Sequence, residues 1–448
     1  HHRACPSARS NYVADELNRA WRQVRMKFMQ VAVAQIGARR HYAIPAMLRQ
    51  AGLLESLSTD LCSEWPPLRV VDSIVPKAIQ PRGLTRRLGR RVADVPARQI
   101  RCFPSFAARR ILAARKDRSA DDRYRSWLKA NKEFGELVVA RGFGNADTVY
   151  TFNGAALEIL QAGRRRGLRT VVEQTAAPVE AEERMLAEER ERWPAWESEG
   201  ASITAWQPLA DRERAEWDLA DVILCGSEYE IDELSAVGGP ASRAAVVPYA
   251  CPPEMLVDRE PRADDGELHV LFAGTICLRK GLPYVLEATR RAQSQRIRIR
   301  AVGPIRVSDA AAGELRREIE LIGPVPRSEM RRQYAWADVF LMPSISEGSA
   351  NVCYEALGSS LPVITTHNSG SVVRDGSEGF IVQIRDAEAI AARIEELASN
   401  RKLRREMSVR ARERAEEFGW DRYAERLLSV IGAGSDTKKR VPVDEVAY

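Results

Sequence analysis

Two loops of the sequence carry charged side chains in a pattern that suits phosphate and sugar chemistry. The first loop follows an apolar run at 268–273, which Gly274 ends. Arg279, Lys280 and Gly281 then precede a helical pattern, so two cations and the free N–H groups of a helix start would converge. Such a group of donors suits a diphosphate. A surface Arg-Lys pair before a helix is also common, so a solvated helix start is the alternative.

The second loop contains two glutamates, Glu347 and Glu355, separated by seven residues. This spacing also arises by chance in a chain rich in glutamate, so the surroundings carry the inference. Glu347 stands just after a predicted strand at 339–342. Beside it, Gly348 and Ser349 have little bulk where a ligand must approach the backbone. Carboxylates at these two positions would accept hydrogen bonds from sugar hydroxyls.

Several familiar signatures of nucleotide and metal sites are absent from the sequence. There is no G-x-G-x-x-G and no G-x-x-x-x-G-K-[ST], which argues against a dehydrogenase and a P-loop nucleotide hydrolase. No D-x-D pair could bridge a divalent cation to a sugar diphosphate. The 7 cysteines lack C-x-x-C spacing, and the 5 histidines include the first two residues. We therefore expect no metal site and no disulfide framework.

Composition and apolar patterning indicate a globular α/β protein. The chain has 448 residues, 45% apolar and 29% charged, and it contains no apolar run of membrane-spanning length and no secretory signal pattern. We expect a cytoplasmic protein whose residues 1–28 form a flexible extension. A first series of strand-like runs lies at 29–36, 148–152, 169–172, 222–224 and 244–248. A second series lies at 268–273, 297–302, 339–342, 362–365 and 379–382.

Helical patterns follow these runs, and a proline-rich stretch at 248–253 separates the two series. Alternating strands and helices predict two doubly wound Rossmann-like domains with mainly parallel sheets, facing each other across a cleft. Ligands of such sheets bind at the carboxyl ends of the strands. We expect a first domain at 29–250, a second domain at 251–415, and a C-terminal helix and tail at 416–448.

Charge is unevenly distributed along the chain. The net charge is +6, yet the segment 81–125 alone contains 14 Lys and Arg against 4 Asp, interleaved with apolar residues such as Ile111 and Leu112, and Trp127 follows it. Such a segment can attract anionic lipid, nucleic acid or a phosphorylated acceptor, and the alternative is a solvated arginine-rich surface. It lacks aromatic RNA-binding motifs and zinc-finger spacing. We expect peripheral association with the inner face of an anionic membrane and no nucleic-acid partner.

The second series resembles the donor domain of retaining glycosyltransferases of family 4 (glycosyl transferases group 1), which have the GT-B fold. The first series resembles that family more weakly, through Gly37, the segment 220–223 with Ser227, and the segment 246–249. The matching segments of the second series are Phe272-Ala273-Gly274 with Arg279-Lys280-Gly281, Gly323-Pro324-Val325, Ala337-Asp338-Val339 with Pro343-Ser344, Glu347 to Glu355 with Ala356-Leu357-Gly358, Pro362-Val363-Ile364, and Val373-Arg374-Asp375-Gly376 with Gly379.

The resemblance implies transfer of a sugar from a nucleotide-sugar donor to an acceptor hydroxyl, with retention at the anomeric carbon and no essential metal or other cofactor. The products would be polysaccharides, glycolipids or other glycoconjugates. It implies three catalytic residues: Lys280 and Arg279 at the leaving diphosphate, and Glu347 at the donor sugar. The implied donor-binding positions are Gly37 near the phosphates or the sugar, Glu355 at the ribose, Val325 beside the base, and Gly274, Gly348, Ser349, Ala350 and Asn351.

The sequence departs from this family at two places. Many members have arginine directly after the strand-ending glycine, where this chain has Thr275, so Arg279 is the expected substitute. Many members also have a histidine near the reacting sugar after a first-domain strand, whereas the segment Tyr150-Thr151-Phe152-Asn153 of this chain contains none. His41 is open to two readings, one facing the cleft and one facing solvent. The rival functions are a catalytically silent GT-B scaffold, an epimerase and a phosphorylase.

Overall fold

The computed structural model describes residues 29–62, 92, 95–197, 200–256, 266–293 and 296–432. The expected extension at 1–28, the end of the C-terminal tail, and residues 81–91 and 93–94 of the basic segment lie outside these ranges. Within them the chain forms two parallel sheets covered by helices, as predicted. None of the helices in the described ranges combines the length and the apolar character that a bilayer span requires.

The first sheet contains seven strands in the order β3-β2-β1-β4-β5-β6-β7. Its strand order reverses between β1 and β4, and the loops that follow such neighbours diverge and leave a crevice. The strands are β1 (Val31–Gln35), β2 (Leu54–Thr59), β3 (Ile100–Cys102), β4 (Thr148–Phe152), β5 (Arg169–Gln174), β6 (Val222–Cys225) and β7 (Ala244–Val246). The helices are α1 (Ala43–Gln50), α2 (Pro104–Ala114), α3 (Ala120–Arg141), α4 (Leu157–Arg165), α5 (Val179–Arg192), α6 (Ile203–Leu219) and α7 (Glu228–Ala236).

The second sheet contains six strands in the order β10-β9-β8-β11-β12-β13, with the reversal between β8 and β11. The strands are β8 (Leu268–Ala273), β9 (Ile297–Val302), β10 (Glu320–Gly323), β11 (Val339–Met342), β12 (Val363–Thr366) and β13 (Gly379–Val382). The helices are α8 (Leu282–Arg291), α9 (Asp309–Glu318), α10 (Arg327–Trp336), α11 (Asn351–Gly358), α12 (Ala387–Ser399), α13 (Arg401–Glu417) and α14 (Trp420–Gly432).

The burial of the strands explains why their apolar runs could be recognised in the sequence. Every residue of β8 and of β11 is buried, and strands covered on both faces are nearly continuous apolar runs. The pattern missed β2, whose sequence LESLST contains more polar than apolar residues, and the short strands β3 and β10. These three strands lie at or next to a sheet edge.

The chain crosses between the two sheets twice. The first crossing is the segment 247–256, and the second is the segment 418–420, after which α14 packs on the first sheet. The N–H of Cys251 donates to the carbonyl oxygen of Phe418 at 2.8 Å, so the two crossings lie side by side. Tyr423 and Leu427 of α14 are buried against the first sheet.

A buried cation lies where the second crossing meets the first sheet. The Arg40 guanidinium, in the loop after β1, pairs with Glu173 of β5 and donates a hydrogen bond to the Tyr423 hydroxyl. The Tyr150 hydroxyl of β4 donates to the other carboxylate oxygen of Glu173. The Tyr249 ring, in the first crossing, has its centroid 3.5 Å from the guanidinium carbon. A charge buried in this way is tolerated only while its partners remain.

Replacing Glu173 by glutamine should lower the free energy of unfolding by about 3 kcal/mol, because the Arg40 charge is then buried without a counter-charge. Urea unfolding followed by circular dichroism measures the change. The control is Glu320→Gln, which removes an exposed partner of Arg300 and should cost less than about 1 kcal/mol. Equal losses in the two variants would contradict the assigned role of the Arg40–Glu173 pair.

Candidate functional site

The loop after β8 and the loop after β11 are joined at the carboxyl edge of the second sheet. The N–H of Ile345 donates to the carbonyl oxygen of Arg279 at 2.9 Å, and the Arg279 guanidinium donates to the carbonyl oxygen of Ser346 at 3.3 Å. Gly281 permits this approach, because its φ is +73° and a Cβ there would collide with the carbonyl oxygen of Pro343. The glycine before α8 therefore sets how closely the two loops approach.

Lys280, Arg279 and Glu347 form one cluster. Lys280 is 7% exposed, and its ammonium contacts a Glu347 carboxylate oxygen that lies 3.5 Å from Arg279 Nη1. Burial, and next the charge of Arg279, lower the pKa of the Lys280 ammonium to about 7. The Glu347 carboxylate opposes this effect, because contact with an anion favours the ammonium form. Glu347 therefore contacts Lys280 and lies 3.5 Å from Arg279, so the three residues expected to be catalytic lie together.

The backbone after Glu347 turns directly into α11. The Ser349 hydroxyl donates to the carbonyl oxygen of Gly370 at 2.9 Å, and the Ala350 N–H donates to the carbonyl oxygen of Ser369 at 2.9 Å. These bonds hold the turn against the segment that follows β12. The turn consists of the expected donor-binding positions Gly348, Ser349, Ala350 and Asn351.

Glu355, one helical turn into α11, is buried and both of its carboxylate oxygens have partners. One oxygen accepts a hydrogen bond from Arg327 at 3.1 Å, and the other accepts one from the Tyr334 hydroxyl at 2.9 Å. Arg327 also donates to Glu254 at 3.0 Å. Val325, which is half buried, lies two residues before Arg327. Sequence reasoning missed Arg327, and a ribose bound at Glu355 would share the carboxylate with it.

The remaining expected positions in the second domain lie directly after β8. The N–H of Gly274 donates to the carbonyl oxygen of Val302 at 2.9 Å, which fixes the end of the strand. Thr275, where many members of family 4 have arginine, is half buried. No group of three or more His, Cys, Asp or Glu side chains that could hold a metal ion occurs in the part of the chain with described positions.

In the first domain, the loop after β1 has an unusual backbone. Gly37 has a φ of +79° and donates its N–H to Asp60 at 2.8 Å. Arg40, His41 and Tyr42 follow with φ values of 46°, 52° and 63°. Consecutive left-handed residues other than glycine are strained, and they persist only where the surroundings hold them. The buried contacts of Arg40 provide that support.

The neighbouring side chains of this loop differ in their surroundings. Arg39 donates to the Thr175 hydroxyl at 3.0 Å, and burial lowers the pKa of its guanidinium. His41 is exposed, as in its solvent-facing reading. Partial burial and then the Arg327 charge lower the pKa of His41, so this ring also lies within electrostatic reach of the second domain.

Two buried glutamates of α6 position the loops after β4 and β5. Glu213 accepts a hydrogen bond from Asn153 at 2.9 Å, and Asn153 in turn accepts one from the Thr175 hydroxyl at 3.0 Å. Glu216 accepts the N–H of Gly154 at 2.6 Å, and burial raises the pKa of Glu216 to about 8. Sequence reasoning missed both glutamates, since nothing in the helical pattern separates them from exposed ones.

Comparison with known proteins associates part of this chain with glycosyl transfer. Residues 267–400 match the model of a family described as Glycosyl transferases group 1. A putative colanic acid biosynthesis glycosyltransferase (WcaL) of Salmonella typhimurium is 29% identical over 47% of this chain and 56% of its own length. Spore coat protein SA of Bacillus subtilis is 37% identical over 24% of this chain and 29% of its own. The chain therefore spans about half, or less, of the length of these relatives.

Solved structures share the whole architecture at low sequence identity. The sucrose-phosphate synthase of Thermosynechococcus elongatus has a TM-score of 0.60 at 17% identity and covers 90% of this chain and 98% of its own. Anabaena HepE in complex with UDP has a TM-score of 0.57 at 12% identity and covers 90% of this chain and 99% of its own. These likenesses establish the GT-B fold and confirm the predicted fold class.

The Lys280–Glu347 contact leads to a prediction about pH. Glu347→Gln removes the anion in contact with Lys280, so the pKa of the Lys280 ammonium should fall below its wild-type value of about 7, and its charge should be lost at a lower pH. The dissociation constant for UDP should then rise more than about tenfold between pH 6 and pH 8, since each pH unit above the pKa reduces the charged fraction about tenfold. Isothermal titration calorimetry measures it, and the wild type should change less.

The control for this prediction is the double variant Lys280→Arg/Glu347→Gln. Arginine keeps its charge throughout this pH range, so the double variant should show only the titration of UDP itself. If Glu347→Gln follows the same profile as this control, the carboxylate does not maintain the charge of Lys280.

Proposed function

We propose that this protein is a retaining glycosyltransferase of family 4, which moves a sugar from a nucleotide-sugar donor to an acceptor hydroxyl without a bound metal ion. The observation that carries the proposal is the cluster of Lys280, Arg279 and Glu347, which lies inside the segment 267–400 that matches a glycosyltransferase family. A diphosphate needs cations and a sugar needs hydrogen-bond acceptors. The cluster offers both side by side.

The two cations act on the leaving group. Negative charge builds up on the diphosphate as the glycosidic bond breaks, so a preorganised cation stabilises the transition state more than the ground state. Lys280 is buried, and a charge in a poorly solvated site acts more strongly than one in water. Arg279 adds a planar fork that can bind two phosphate oxygens. Together they take the part that a divalent ion plays in metal-dependent enzymes.

The rest of the donor extends along the turn before α11. Glu347 and the backbone of residues 348–351 hold the sugar hydroxyls, and Glu355 binds the ribose hydroxyls. Val325 flanks the base, with Arg327 beside it. Gly37, in the first domain, lets the loop after β1 approach the phosphates. The acceptor hydroxyl then reaches the anomeric carbon from the side of the first domain.

The acceptor is proposed to belong to glycoconjugate synthesis. The curated relatives include proteins named for colanic acid biosynthesis and for D-inositol 3-phosphate glycosyl transfer. The first name gives a product of biosynthesis, and the second gives an acceptor that carries several hydroxyl groups. A silent scaffold would release no nucleotide, an epimerase would turn over the donor without an acceptor, and a phosphorylase would need phosphate, so the product separates these alternatives.

We further propose that the enzyme docks on the cytoplasmic face of an anionic membrane through a basic tip, defined as residues 109–127 together with Ile203. Leu112, Trp127 and Ile203 are large apolar side chains with 56%, 45% and 61% of their surface exposed. The Ser202 hydroxyl donates to Asp121 at 2.7 Å, which brings Ile203 next to the start of α3. Within the described part of the chain, four exposed cations of this tip have no carboxylate partner: Arg115, Lys116, Arg118 and Arg123.

The enzyme should release a nucleoside diphosphate from a nucleotide-sugar donor in the presence of EDTA, and Lys280→Ala should lower kcat about 100-fold. Arg279→Ala should be comparably damaging if both cations face the diphosphate. A panel of donors and hydroxyl acceptors, analysed by mass spectrometry of the products, identifies the substrates. Nuclear magnetic resonance of the new glycosidic bond then determines whether its configuration is retained.

The control is Lys402→Ala, because this lysine lies in the same domain and its side chain is 89% exposed. It should leave kcat unchanged. A Lys280→Ala variant with normal kcat would contradict the assigned mechanism, and a requirement for a divalent ion would contradict metal independence. An Arg279→Ala variant with near-normal kcat, beside an inactive Lys280→Ala, would leave Lys280 as the sole cation of this loop.

The basic tip should bind vesicles that contain phosphatidylglycerol and should bind neutral vesicles weakly, with retention falling as salt rises because charges are screened within about 8 Å at physiological ionic strength. Arg115→Glu/Lys116→Glu should abolish this binding in a flotation assay. Arg316→Glu/Arg317→Glu, which changes the charge equally on exposed positions of α9, is the control. Equal retention on neutral and anionic vesicles would contradict the proposal.

A further inference from the structure

A segment of the first domain reaches across the cleft onto the second domain. This segment, the acidic strap, consists of α5 and the residues after it, 179–197. The carboxylate of Glu189 accepts hydrogen bonds from the Tyr284 hydroxyl at 2.8 Å and from Arg385 at 2.5 Å. Trp193 donates to the same Tyr284 hydroxyl at 3.1 Å. These contacts fix the strap to α8 and to the segment that follows β13 of the second domain.

Two carboxyl groups of the acidic strap contact the loops after β8 and β11, which carry the residues to which we assign the diphosphate. Glu197 accepts a hydrogen bond from the N–H of Leu278 at 2.6 Å. Glu182 lies 3.5 Å from the Arg279 guanidinium and accepts a hydrogen bond from the Ser346 hydroxyl at 3.4 Å. Both carboxyl groups therefore lie at donors of the two loops that a phosphate could otherwise use.

Around the loop that follows β8, carboxyl groups therefore outnumber cations. Lys280 and Arg279 face Glu347 of their own domain, and Glu182 and Glu197 of the first domain approach the same loop. A nucleoside diphosphate would add further negative charge within a few ångströms of these carboxylates. Like charges at such separations repel, and hydrogen-bond donors already satisfied by a carboxylate are not open to phosphate.

A second contact between the domains closes the space beside this loop. The Ser227 hydroxyl, after β6, donates to the carbonyl oxygen of Gly348 at 2.7 Å. A Cβ on Gly348 would lie 2.6 Å from the carbonyl oxygen of Thr175, after β5. The backbone to which we assign the donor sugar is therefore in direct contact with two loops of the first domain.

We propose that the acidic strap is an internal competitor of the donor: Glu182 and Glu197 occupy the diphosphate-binding groups of the loop after β8, and the diphosphate must displace them to bind. This inference rests on the proposed function. If the strap competes in this way, the protein binds the donor more weakly than it would without Glu182 and Glu197. The competition also couples donor binding to domain separation, because the competing carboxylates belong to the opposite domain.

The test is isothermal titration of the full chain with UDP, GDP and ADP. Glu182→Gln/Glu197→Gln removes both charges and keeps the shape of both side chains, and it should bind the preferred nucleotide about tenfold more tightly than the wild type, which corresponds to about 1.4 kcal/mol. Glu191→Gln is the matched control, because Glu191 lies on the same helix and is exposed. It should bind as the wild type does.

The outcomes separate this inference from the proposed function. A wild type that binds none of the three nucleotides would contradict the proposed function itself. A wild type that binds, beside a double variant that binds equally or more weakly, would overturn the competition alone. If the double variant fails to fold, as judged by its thermal melting, Glu182→Gln replaces it, because Glu182 holds only the two longer contacts; it should tighten binding about threefold.

Discussion

The Arg40 guanidinium lies where four described parts of the chain meet: two strands of the first sheet, the first crossing and α14. Its partners are Glu173, Tyr249 and Tyr423, and none of them is close to Arg40 in sequence. A buried cation cannot be left without partners, so each of these segments must be in place for the others to be stable. These contacts of Arg40 thereby offset the strain of the left-handed turn after β1.

The two sides of the cleft are built on different principles. On the second domain, the cations and carboxylates sit on two adjacent loops whose approach depends on Gly281, so short sequence motifs define the geometry. On the first domain, the loops are positioned by long-range contacts through Glu213, Glu216 and Asp60. In the proposed function, this arrangement would permit the residues that face an acceptor to vary while the donor side keeps its chemistry.

The sequence allowed the fold class and the second-domain cluster to be predicted, for physical reasons that can be stated. Strands such as β8 are buried on both faces and therefore appear as apolar runs, and the cluster residues lie within contiguous motifs. In contrast, β2 has a largely polar sequence, and Arg327 and Glu197 contribute through partners 28 and 81 residues away. No local pattern records a contact of that range, so the acidic strap emerged only from the folded chain.

The two side-by-side crossings between the sheets restrict how the domains can move. A single connecting segment between two domains allows them both to bend and to twist relative to each other. Here the two crossings are joined by the hydrogen bond from Cys251 to Phe418. A twist of one domain against the other would break that bond, whereas a bend about the line through the two crossings would not. Bending about that line is therefore the domain motion that the two crossings permit most readily, and in the proposed function a donor would enter along the corresponding arc.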